Sequence, residues 1–349
     1  MSRAELMTPM ERLSATVAGL ECDRVPVLPN IRLFGIRYCG LKFSDCLRDP
    51  TLYVRSQVRC LEEFGCDGAW DISMDGVSEA LGAKLVEYDD DPPAPVVHPV
   101  RGIEDVERLR EVNILESRRV RFLLGVVTEL KAAVGPDVPV VAWAPAPLRT
   151  ACMLRGLEAA YRDMIRQPQF AEVLVDACVQ PSIQYAEALA GAGADFIWVS
   201  NPVADATAIS RKHYEQLSVP FSRRMFSALR GKGIKVMYHF YGTSSDRLDL
   251  VASQGPDVLH GADMDLGEAK KLYGSRYTLM GNVRAITTMF QGTPAEVEKE
   301  SIRCIREAGH GGRYILSAGA GLAPANPPEN LAAMVAAAKK HGTYPLALH

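Results

Sequence analysis

The stretch "KVMYHFYG", residues 235–242, decides how the fold is read. It is a short, nearly unbroken run of β-branched and aromatic residues that stops at a glycine. Such a run suits a strand covered on both faces, as in a parallel sheet. His239 places a polar ring where that strand should end. Tyr241, two residues on, falls on the same face of an extended chain. The pair looks like half of a metal or proton-transfer site, so the other members must come from other strand ends.

Seven more runs of this kind lie along the chain: "VPVLPN" (25–30), "DGAWDIS" (67–73), "VPVVAWAP" (138–145), "ADFIWVS" (194–200), "DVLHGAD" (257–263), "YTLMGNV" (277–283) and "RYILSAGAG" (313–321). Between them, apolar residues recur at three-to-four spacing over 154–165, 169–191, 211–231 and 294–308, which predicts helices. Eight strand–helix units in one chain predict a (β/α)8 TIM barrel, read as a single domain over 1–349. A helical extension precedes it, and residues 83–100, "AKLVEYDDDPPAPVVHPV", read as an inserted β-hairpin. An open doubly wound sheet is the alternative, but no GxGxxG follows the first strand.

Composition narrows the class. Hydrophobic residues make up 48% and charged residues 23% of 349 residues, the balance of a globular enzyme. A net charge of −3 without a long single-sign run leaves no electrostatic footprint for nucleic acid. No apolar run reaches the roughly 18 residues of a membrane helix. The N-terminal residues are charged throughout and lack a signal-peptide core. The eight cysteines contain no CxxC pair, so reduced thiols in a cytoplasmic chain are expected.

In a barrel, chemistry collects at the C-terminal ends of the strands. Here those ends supply Asp71, Asp75, Trp143, Asn201, His239, Asp263, Asn282 and Ala320. "WDISMD" places Asp71, Ser73 and Asp75 on one face of an extended strand. Asp75, more than Asp71, has a simpler reading as a helix cap or part of a solvated loop. Asp89, Asp90 and Asp91, before two prolines, read as a solvated hairpin tip. Asn282 either pins a loop or touches substrate. Asp75, Trp143, Asn201, Tyr238 and Asp263 are further candidates for substrate contacts. His239 has three readings: a core histidine, a metal ligand with oxygen partners from Asp71, Asp75 or Asp263, or a metal-free acid/base.

Three longer stretches carry a resemblance. They are "MTPMERLSATVAGLECDRVPV", "LMGNVRAITTMFQGTPAEVEKESIRCIREAG" and "YILSAGAGLAPANPPENLAAMVAAAKKHGTY". With Gly281-Asn282-Val283, Gly292-Thr293-Pro294 and Pro328-Glu329-Asn330-Leu331, the chain resembles the uroporphyrinogen decarboxylase superfamily over about residues 7–344. "ALGAKL" (80–85) and "AISRKHYEQLSVPF" (208–221) agree. The closer likeness is to its corrinoid-linked methyltransferases, and the family fold is the same (β/α)8 barrel.

Two departures qualify what the resemblance implies. True decarboxylases carry Arg-Gln-Ala-Gly-Arg after the first strand to grip propionates. This chain has "PNIRLFGIRYCG" (29–40), with Arg32 and Arg37 but not the motif. The methyltransferase branch carries His-x-Cys on the fifth strand and Gly-Cys after the eighth, which together bind zinc. Here these read His239-Phe240-Tyr241 and Gly319-Ala320, so the histidine is kept and both thiolates are gone.

No Asp-x-His-x-x-Gly corrinoid signature occurs, so cobalamin is expected on a partner corrinoid protein. The resemblance then implies methyl transfer between a small O- or N-methylated substrate and that cobalamin. His239, Asp71, Tyr241 and Asn282 are its catalytic candidates. A cofactor-free decarboxylase and a non-catalytic corrinoid-protein-binding subunit are the alternatives. A homodimer is compatible with each.

Overall fold

The computed structural model describes residues 6–241 and 246–347; Gly242, the end of the quoted stretch, lies outside them. The strands are β1 (Ala69–Trp70), β2 (Lys84–Val86), β3 (Ala94–Val97), β4 (Val140–Pro145), β5 (Phe196–Ser200), β6 (Lys235–Phe240), β7 (Val258–Gly261), β8 (Thr278–Met280) and β9 (Tyr314–Ile315). All but β2 and β3 belong to one sheet in the order β1-β4-β5-β6-β7-β8-β9, with helices in between. This is the predicted α/β barrel fold. Packing divides the chain into two compact units: Met1–Ile72, Glu129–Val141 and Asp257–His349 form one, Ser73–Thr128 and Ala142–Pro256 the other.

In the first unit, β1 runs parallel to the start of β4, with Ala69 opposite Val140. β7, β8 and β9 follow side by side, His260 opposite Met280 and Met280 opposite Ile315. The predicted strand at 25–30 is not a continuous strand. Pro26 and Pro29 have no N–H to give, which limits the ladder to isolated bonds. Those bonds nevertheless put it in the eighth barrel position. Leu28 N–H donates to Leu316 at 2.9 Å, Leu316 N–H to Pro26 at 2.9 Å, and Asp67 N–H to Val27 at 2.8 Å.

Two polar devices hold this unit together. Asp67 is buried and accepts from both Nη atoms of Arg24, from Arg12 Nη1 and from the Val27 N–H, at 2.7–2.9 Å. The same Arg12, with its side chain fully buried, also grips Asp23 through Nε and Nη2 at 2.7 Å. At the far end of the helix Pro9–Ala18, Arg313 donates to the carbonyls of Val17 and Ala18 at 3.1 and 3.0 Å. Gly19, with φ at 76°, leaves the space: a Cβ there would lie 2.2 Å from that guanidinium.

In the second unit, β5 and β6 pair in parallel over five residues, ending with Ser200 opposite His239. The hairpin predicted at 83–100 is present as β2 paired antiparallel with β3, and Asp89–Asp91 at its tip are exposed.

Three helical predictions need correction. The run 154–165 is two helices, Pro147–Arg155 and Leu157–Arg166, broken at Gly156. The run 169–191 is Pro168–Ala177 and Val179–Gly191, and 211–231 is Arg211–Leu217 and Val219–Gly231. Pro181 and Pro220 cannot donate to the preceding turn, so each long run must restart. The helix Pro294–Ala308 matches its prediction.

Candidate active site

The residues at the strand ends form distinct groups. His239 ends the inner run of β6 and is wholly buried. Its ring stacks on Trp198 at 4.7 Å between centroids and meets Tyr241 edge-on at 4.3 Å. The expectation that residues 239 and 241 share a face therefore holds. One strand over, Ser200 stands opposite His239 and accepts from Trp143 Nε1 at 2.7 Å. The Arg149 guanidinium lies 4.8 Å over the Trp143 ring, and its Nη1 pairs with Asp75 Oδ2 at 2.7 Å. Arg149, Ser200 and Trp198 were not singled out from sequence. The one signal for Arg149 was a cation in the first turn of the helix that follows the end of β4.

Tyr238, by alternation, points away from His239. Its ring packs on Phe226 of the helix Val219–Gly231, and its hydroxyl bonds to Tyr214 at 3.1 Å. Asn201 joins this buried chain, donating to Ser218 at 3.0 Å and to Tyr238 at 3.3 Å. Gln254 closes it by donating to Tyr214 at 2.7 Å. Burial and the adjacent phenol push the Tyr214 hydroxyl well above its ordinary pKa, so the chain is neutral. Asn201 and Tyr238 thus bind each other on the helix side of the sheet.

The reading of Asp71, Ser73 and Asp75 as one extended face is corrected. β1 ends at Trp70, and Ser73 has φ at 45°, in the left-handed region. The alternation breaks there. Asp75 is the N-cap of the helix Gly76–Ala80, accepting from Ser78 N–H at 3.0 Å, as its simpler reading required. Asp71 is buried at the end of β1, where the Tyr53 hydroxyl bonds to its carbonyl at 2.7 Å. Asn282, past β8, donates to the Met264 carbonyl and accepts weakly from the Cys304 thiol at 3.9 Å. Both contacts pin a loop. Asp263, past β7, is exposed.

Zinc does not fit this set. Among the described residues, no three His, Cys, Asp or Glu side chains come together in a group able to hold a metal. At positions 241 and 320, where the methyltransferase branch places thiolates, stand a phenol and a methyl group.

Comparison with known proteins places the chain in a class, then a family. A solved methyltransferase from Methanosarcina mazei superposes with a TM-score of 0.86 at 24% identity, covering 96% of this chain and 99% of that one. The fold is therefore shared. The uroporphyrinogen decarboxylase (URO-D) family model matches residues 8–341, and the chain belongs to that family. Similar relatives fall on both sides of it. A methylcobamide:CoM methyltransferase, MtbA, of Methanosarcina mazei is 24% identical, with 97% of this chain and 85% of that protein covered. A methylated-thiol–coenzyme M methyltransferase from the same organism is 26% identical, covering 96% and 90%. A uroporphyrinogen decarboxylase of Syntrophotalea carbinolica is 31% identical, covering 84% and 85%.

Proposed function

We propose that this chain is a methyltransferase that moves a methyl group between a small O- or N-methylated compound and the cobalamin of a partner corrinoid protein. The observation that carries the reading is the end of β6. His239 is held between Trp198 and Tyr241, at the position where the family's methyltransferases keep a histidine. The names of relatives that align with nearly the whole chain support methyl transfer, in one case from a methylated cobamide.

The corrinoid supplies the methyl acceptor, as a second substrate. The residues of this chain then orient the methyl-bearing compound, exclude water and hold a proton at the atom that loses the methyl group. His239 and Tyr241 are the proton-holding pair. Trp143 and Asp75, in the same unit, shape the donor side. Zinc activation of a thiol would lack its thiolate ligands at positions 241 and 320, which favours oxygen or nitrogen as the departing atom.

The reading is tested with purified protein, chemically reduced free cobalamin and a panel of methyl ethers and methylamines. Methyl transfer is followed by the cobalamin spectrum. His239→Ala should keep the fold and lose about 10²–10⁴-fold in rate. Full turnover in that variant would make His239 structural. The buried Asp71 and the 31% identical relative favour decarboxylation as the second reading. Release of carbon dioxide from a small carboxylated compound, with no methyl transfer, would establish it instead.

A further inference from the structure

We propose that Arg149 is an anion-binding site that holds a carboxylate-class group of the substrate beside His239. This deepens the reading of the β6 end as the place of reaction, and rests on it.

The Arg149 side chain is 17% exposed, so most of its hydration is gone. The guanidinium lies 4.8 Å over the Trp143 ring, an arrangement that favours a cation. Asp75 takes a single N–H, and its other carboxylate oxygen is committed to the Ser78 cap. Among the described residues, Nε and Nη2 of Arg149 have no protein acceptor. A desolvated, flat guanidinium with one edge paired and another open has the geometry that binds carboxylates in bidentate fashion.

The position adds the substrate's length. Arg149 lies on Trp143 of β4, Trp143 bonds Ser200 of β5, and Ser200 stands opposite His239 of β6. Trp143 and Ser200 stand between the two, so an anionic group held by Arg149 with its methyl-bearing atom at His239 needs a spacer longer than a single carbon, such as a benzene ring.

The test separates binding from turnover. Titration calorimetry of the whole chain uses 4-methoxybenzoate, its neutral counterpart 4-methoxybenzamide and the short anion methoxyacetate. Wild type should bind 4-methoxybenzoate at least about tenfold more tightly than either comparison compound. Arg149→Met should abolish that preference. Arg149→Lys retains the charge that faces Asp75 but loses the fork and the stacking, and should weaken 4-methoxybenzoate by about tenfold while leaving the melting temperature near wild type. Equal affinity for the amide, an unchanged preference in Arg149→Lys, or no binding of 4-methoxybenzoate by wild type would each overturn the proposal. Methyl transfer to free reduced cobalamin is measured in parallel. Selective anion binding without transfer would leave the anion site standing and overturn 4-methoxybenzoate as the methyl donor.

Discussion

Asp67 accepts four hydrogen bonds, from two guanidinium groups and one backbone N–H, all inside the protein. Asp67→Asn would remove the buried charge that Arg12 and Arg24 share. Breaking a buried pair on one side costs about 3–5 kcal/mol. Urea unfolding should show that loss, with the slope unchanged. Nothing in "CDRVPV" or "GCDGAW" announces this cluster, because a charged residue looks the same in sequence whether it pairs across the core or faces water. The same blindness applies to Arg149. His239 was legible because a histidine ending an apolar run is rare in both composition and place. The Asp75 cap was legible too, since an aspartate before a short helix has a local job.

At the level of elements, the break at Gly156 shows what periodicity misses. Apolar spacing continues across 154–165, yet Gly156 sits at φ 84° and ψ 133°, a conformation close to glycine-only. A Cβ there would stand 3.0 Å from the His98 ring, which is itself fixed by a 2.6 Å bond to the Met153 carbonyl. Gly156→Ala should cost about 1–3 kcal/mol in chemical denaturation. A control alanine at Gly125, within a helix and with open space around it, should be neutral or slightly stabilising. Strand positions were legible because each is a short apolar run. Strand ends were not, since bond geometry sets them: β1 keeps only two of the seven residues read as strand, where Ser73 turns left-handed.

For the whole molecule, alternation of eight short runs with amphipathic helices was enough to predict the barrel, because each strand needs cover on both faces. The methyl-bearing compound was not legible, since its choice depends on one or two side chains at each mouth position. One global property follows from His260. Burial pushes its imidazole down from an ordinary 6.5 to about 4, against the pull of the Ala318 carbonyl, which its Nε2 meets at 3.0 Å. The unfolded chain therefore takes up this proton before the folded one. Its stability contribution is complete above pH 6.5 and is lost as pH falls toward 4, by at most ~3 kcal/mol. Melts of wild type and His260→Gln across that window should differ in slope, the variant being flatter. The Arg313 clasp has a consequence of another kind. It joins carbonyls near the start of the chain to a guanidinium 296 residues later than Val17. A ribosome adding about 5–20 residues per second reaches that arginine roughly 15–60 s after the first helix has been made. Throughout that interval the nascent helix lacks its clasp, so its final seat is among the last parts of the protein to be secured, and a chaperone that shelters early segments would act on it first.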